Sequence, residues 1–231
     1  MKDRPTFYGP WFRFARGVAR HIMGRYEIVH PERFCSPAIY VSRHQNMHGP
    51  IHVMAYAPEP LHLWALHLFT RFRTCFRQFR DYTLSVRLGW PKPLAAIVAA
   101  LIALPISQGM KSCRAIPVYR GLREVVHTLN LSAELLAKGE SIVVFPDIGY
   151  TDETFTAGSM YTGYLHVIPK VRKLTGKTVP IIPLYCPYGS RKLVCGEPIW
   201  FSEDVPFRLE QERVNNEIRS SLDALTREYE G

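Results

Sequence analysis

The strongest constraint on this chain is an alternation of two sequence textures. Short runs of β-branched and aliphatic residues end in polar or charged positions, and stretches of helical periodicity separate them. Ala38-Ile-Tyr-Val-Ser42 predicts a strand that stops at Arg43-His44, and Ala115-Ile-Pro-Val-Tyr119 predicts another. Ser141-Ile-Val-Val-Phe145 is the clearest strand and ends at Pro146-Asp147; Val179 to Tyr185 predicts a further one. Helices are expected from Gly49-Pro50 to about Ala57 and from about Leu122 to Ala137, where Lys138-Gly139 supplies a stop. Two more are expected over 158–174 and 209–229, while Leu61 to Leu68 fits either a strand or a helix. This pattern predicts an α/β fold, a single domain with a mixed central sheet flanked by helices, with functional residues at strand ends.

An N-terminal amphipathic helix is expected ahead of that domain, over residues 1–25, with the domain itself at 26–231. Phe7, Trp11, Phe14, Val18 and Ile22 recur at helical steps and share one stripe, while Arg13, Arg16 and Arg20 fall on other faces. Such a helix suits either a membrane interface or packing on its own domain. The formal net charge of +9, from 29 Lys and Arg against 20 Asp and Glu, calls for an anionic partner. The run Arg71-Phe-Arg-Thr-Cys-Phe-Arg-Gln-Phe-Arg80 interleaves cations with phenylalanines, which suits either a phospholipid surface or a core-packed helix with a solvated basic face. With no recognisable RNA- or DNA-binding motif, a nucleic-acid partner is not expected. The apolar run 94–106 is shorter than the roughly 20 residues of a spanning helix and contains Pro105, which predicts a buried or interfacial helix.

Several function classes lose their usual support. The five cysteines are scattered without metal or disulfide spacing and read as reduced thiols of a cytosolic setting. No secretory signal is evident. The glycine-rich phosphate loops and the G-x-S-x-G elbow are absent. His44, His48 and His52 have metal-like spacing, but no acidic residue accompanies them and Gly49-Pro50 predicts a break in the helix.

Four strand-to-loop blocks resemble the glycerol-phosphate and lysophospholipid (1-acylglycerol-3-phosphate) acyltransferase family. Ser42-Arg-His44-Gln-Asn-Met-His48-Gly49 is similar to its first block, which normally reads Asn-His-x-x-x-x-Asp. Ala115 to Arg120 resembles the second, Phe145-Pro-Asp-Ile-Gly149 the third (usually Phe-Pro-Glu-Gly), and Val179-Pro-Ile-Ile-Pro183 the fourth. The resemblance implies acyl transfer from acyl-CoA or an acyl carrier protein to a lysophospholipid or related glycerolipid hydroxyl. The thioester is then a co-substrate, and no metal or bound cofactor is required. His44 would be the base, Arg120 a phosphate ligand with paired donors, and Pro146, Asp147 and Gly149 the acceptor side of the pocket. Backbone N–H groups near the third block would stabilise the oxyanion. The expected place is the cytoplasmic face of the cell membrane, peripheral or monotopic.

The departures are informative. Five positions after His44 stands Gly49 instead of the aspartate that orients the base. Three readings stay open: Asp147 reaches His44 from a neighbouring strand end; His48 shares the role; or the chain is a catalytically inactive relative that binds lipid. Asp147 and Ile148 replace glutamate and glycine in the third block. Arg43 precedes the histidine in place of asparagine and suits either a phosphate or coenzyme A ligand or a solvated rim.

Overall fold

The computed structural model describes residues 7–119, 121, 123–147, 160–202 and 204–230. In chain order the strands are β1 (Glu27–Val29), β2 (Ile39–Ser42), β3 (Leu61–Leu66), β4 (Ile116–Val118), β5 (Ser141–Val144), β6 (Ile181–Tyr185) and β7 (Lys192–Cys195). The longer helices are α1 (Pro10–Met23), α2 (His48–Tyr56), α3 (Phe72–Arg77), α4 (Lys92–Ser112), α5 (Val125–Ala137), α6 (Val167–Thr175) and α7 (Phe207–Glu230). This is the α/β class with a mixed sheet and flanking helices. By its contacts the chain forms two compact units, Met1–Val18 with Leu63–Thr128 and Ala19–His62 with Leu129–Gly231. The expected helix within residues 1–25 is α1, and its part up to Val18 groups with Leu63–Thr128.

The unit made of Ala19–His62 and Leu129–Gly231 carries strands in the order β1-β7-β6-β2-β5. Neighbours run parallel except β6 and β7. β2, β5 and β6 are buried at every position, which explains their unbroken apolar sequences in place of a two-residue alternation. Helix α7 is charged in composition, yet Val214, Ile218, Leu222 and Leu225 recur at helical steps and are all buried. Leu225 joins Tyr185 and Val194 in a cluster that Val29 and Tyr229 extend. Near the start of α7 the buried Glu210 accepts hydrogen bonds from the Ser202 N–H (2.6 Å) and from Arg213 (2.6 Å). Its charge there complements the helix N-terminus.

In the other unit β3 and β4 pair in parallel, with Trp64 opposite Ile116 and Leu66 opposite Val118. The stretch Leu61 to Leu68, which fits either a strand or a helix by sequence, is a strand as far as Leu66. Helix α3 passes directly into a π-helical stretch, Gln78–Arg87. Leu84 of that stretch packs with Ala95 and Ala99 of α4, beside Phe76, Phe79 and Val98. On α4 the small residues Ala95, Ala99, Ala103 and Ser107 are the buried ones, while Leu94, Ile97, Leu101 and Leu104 are exposed. The run 94–106 thus belongs to a longer helix than expected, buried only along its alanine side. Helix α1 starts at Pro10, where a missing N–H costs nothing. No residue of α1 is buried, and Trp11, Phe14, Val18 and Ile22 are all exposed. Trp11 Nε1–H donates to the Pro105 carbonyl (3.2 Å), and Gly9 N–H to that of Ser112 (2.8 Å). A Cβ on Gly9 would stand 2.6 Å from Ser112 Oγ, so a larger residue would displace the hydroxyl that accepts the Phe12 N–H.

Candidate functional site

β6, β2 and β5 lie side by side and parallel, so the loops that leave their carboxyl ends share one edge. That edge is where open parallel sheets present functional residues. Arg43-His44 leaves β2, Pro146-Asp147 leaves β5, and the turn carrying Tyr188 leaves β6. The register sets Val41 beside both Val144 and Pro183, which brings these exits level.

His44 and Asp147 do meet, through the main chain. The Asp147 carboxylate accepts the backbone N–H of His44. The imidazole has a different partner: its Nδ1 accepts the Met47 N–H at 3.3 Å. Burial is the main influence on His44 and lowers its pKa below 6.5, while the Asp147 charge pulls the other way. Burial raises the Asp147 carboxyl above its ordinary range, opposed by the hydrogen bond from His44 and the positive charge of Arg43. Burial thus favours the neutral form of the imidazole, which stands beside the Asp147 carboxyl at a strand end.

The stretch between His44 and Gly49 explains the missing aspartate. Gln45, Asn46 and Met47 have φ of 45°, 49° and 76°, three successive non-glycine residues in the left-handed region. Asparagine tolerates that region; glutamine and methionine are strained there. The turn carries Gly49 back over the end of β2, and its N–H bonds to the His44 carbonyl (3.2 Å). A Cβ on Gly49 would collide with the Arg43 carbonyl oxygen. Position 49 therefore has no room for any side chain, aspartate included.

His48 begins α2 instead of lying on one helix with His44, because the chain reverses at Gln45–Met47 and not, as expected, at Gly49-Pro50. Its ring packs at a tilt against His52 (3.9 Å between centroids) and Tyr188 (4.3 Å). Burial lowers its pKa, with His52 adding to the shift and the carbonyls of Cys186 and Pro187 opposing it. Tyr188, which sequence reading overlooked, donates its hydroxyl to the Gln45 carbonyl (2.8 Å) and its N–H to Glu230 (2.7 Å). It ties the strained turn to the end of α7. Its place just past the end of β6 is the signal that could have singled it out.

Arg43 is neither an exposed rim residue nor a solvated one. It is buried, with its guanidinium bonded to Thr226 Oγ1 of α7 at 3.2 Å. Pro146 is buried as well, and its carbonyl accepts the Tyr161 N–H (2.9 Å). Arg120 and Gly149 lie outside the described residues.

No protein-family model and no curated protein matches the chain. Among solved structures, it resembles the 1-acyl-sn-glycerophosphate (LPA) acyltransferase PlsC from Thermotoga maritima. The TM-score is 0.54 over 93% of this chain and 79% of that one, at 13% sequence identity. This likeness shows the fold, an α/β architecture that the two chains share.

Proposed function

We propose that the protein transfers a fatty acyl group from acyl-CoA or an acyl carrier protein to the hydroxyl of a lysophospholipid or related glycerolipid. The observation that carries this reading is the meeting of His44 and Asp147 at the ends of adjacent parallel strands. In the reaction the imidazole of His44 removes the hydroxyl proton while the oxygen attacks the thioester carbonyl carbon. The tetrahedral intermediate collapses with cleavage of the C–S bond, and the imidazolium returns its proton to the departing thiolate. The resting Met47 contact gives way in this scheme, so that a protonated Nδ1 turns to Asp147 and Nε2 becomes the base. The positive charge of the buried Arg43 favours the ionised form of Asp147, against the burial that raises its pKa. Arg120 serves as ligand to an acceptor phosphate, with Pro146 and Gly149 shaping the acceptor side. The work takes place on a phospholipid surface, at the cytoplasmic face of the cell membrane.

A second reading, a lipid-binding relative without turnover, is favoured by one feature: Asp147 engages the main chain of His44 and not its ring. The two readings separate in a transfer assay with labelled acyl-CoA and acyl carrier protein against a lysophospholipid panel. The enzyme reading expects turnover that falls by about 10²–10⁴ in His44→Ala. Lipid binding with no turnover from either donor would leave the second reading standing. Equal turnover in the variant would remove His44 from the mechanism.

A further inference from the structure

Helix α4 is arranged inside out for a helix facing water. Its buried side is a column of small residues, Ala95, Ala99, Ala103 and Ser107, at four-residue spacing. Its large aliphatics, Leu94, Ile97, Leu101 and Leu104, gather on the opposite side, from 48% to 70% exposed. Small residues at the packed face and large ones turned outward is the pattern of helices whose outer solvent is lipid. The stripe has a neighbour: Trp11 bonds to the Pro105 carbonyl, which brings exposed Trp11 and Phe14 alongside.

Charge says what covers this face. The segments of this unit, 1–18 and 63–128, hold fourteen of the 29 Lys and Arg but three of the 20 Asp and Glu. The rest of the chain holds fifteen against seventeen, so the whole basic excess belongs to the unit with the exposed stripe. A second copy meeting the same face would bring like charge to like charge. An anionic bilayer offers the opposite sign and hydrocarbon together.

We infer that the α3–α4 segment is a docking element that lays the Leu94–Leu104 face of α4 into one leaflet of an anionic bilayer, without crossing it. At 21 residues α4 has the length to cross. Its alanine side, however, is packed against the stretch that carries Arg77, Arg80, Asp81 and Arg87. A crossing helix would pull these charges into hydrocarbon. Lying flat leaves them, with Lys92 and Lys111 at the helix ends, at headgroup level. This deepens the reading of a membrane-surface acyltransferase by assigning the surface, and its test uses no acyl donor, so the two fail separately.

The full chain is sedimented with sealed phosphatidylcholine vesicles, with and without phosphatidylglycerol. Binding should need the anionic lipid and weaken with salt. Ile97→Gln with Leu101→Gln, on exposed positions, should keep the native circular dichroism and lower affinity by about tenfold or more. Arg71→Glu with Arg73→Glu should abolish the preference for anionic lipid and leave the fold intact. Unchanged binding in both variants would overturn the assignment, and so would a dimer that the glutamine variant splits without any effect on vesicles. Lys92→Cys and Lys111→Cys should each gain one label from an impermeant maleimide added outside bound vesicles. Protection of one end alone would mean that α4 crosses, and would overturn the flat pose.

Discussion

Helices α7 and α4 use the same aliphatic residues in opposite ways. α7 is the polar helix by composition, yet it buries Val214, Ile218, Leu222 and Leu225 against its own unit. α4 is the apolar helix, yet it buries alanines and turns Leu94, Ile97, Leu101 and Leu104 outward. Overall hydrophobicity therefore says little about what a helix contributes; which face carries the large side chains decides it. α7 closes the sheet whose strand ends hold His44 and Asp147. α4 offers a face that is exposed among the described residues.

The largest effect should appear when this contrast is tested by truncation. Leu222→Ala should cost about 2–5 kcal/mol of stability in a urea titration, as for a fully buried leucine. Leu101→Ala should stay within about 0.5 kcal/mol of the parent chain. Similar losses at the two positions would break the comparison. Next comes Gly49→Asp, which restores the family pattern on paper. Because a Cβ there meets the Arg43 carbonyl, it should destabilise by about 1–3 kcal/mol or more and raise no turnover above the parent. A gain in turnover would mean that the turn opens readily.

A smaller effect concerns pH. His44 must be neutral to accept a proton, so transfer should decline as pH falls through its pKa, which burial places below 6.5. Asp147→Asn removes the charge that raises this pKa and should shift the acidic limb lower still, besides slowing the plateau. A limb above 6.5 would contradict the buried neutral imidazole. Smallest of all, Trp11→Ala with Phe14→Ala should weaken binding to anionic vesicles several-fold, since these residues flank the α4 stripe instead of forming it. A loss larger than that of the α4 variant would move the docking centre to α1.

Much of the sheet was legible because buried parallel strands write themselves as continuous apolar runs. Ile39–Ser42, Ser141–Val144 and Ile181–Tyr185 all fall inside predicted strands. β1 and β7 went unread: each opens on a charged residue, Glu27 and Lys192, that interrupts the apolar run. Of the helix expected over 158–174, residues 158–159 lie outside the described residues, and α6 begins at Val167 after a 3₁₀ turn at Gly163–His166. At the site, the strand-end positions of His44 and Asp147 were readable, and so was the absence of aspartate at 49. The cause of that absence was not, since it lies in three left-handed residues whose identities do not demand such a turn. The burial of Arg43 was not readable because its partner, Thr226, stands 183 residues away and pairs with it only in the folded chain. The outward face of α4 was hidden by composition: leucine, isoleucine and alanine all count as apolar, and only packing separates them.

The central claim is that chemistry resides at the β2 and β5 ends and surface binding on α4. The most direct measurement compares acyl transfer by the parent chain, His44→Ala and Ile97→Gln with Leu101→Gln, using lysophospholipid in anionic vesicles and then dispersed in detergent. The account predicts that His44→Ala is inactive in both settings, while the α4 variant loses activity on vesicles and recovers parent-like turnover in detergent. Turnover retained by His44→Ala, or an α4 variant equally impaired in detergent, would contradict it.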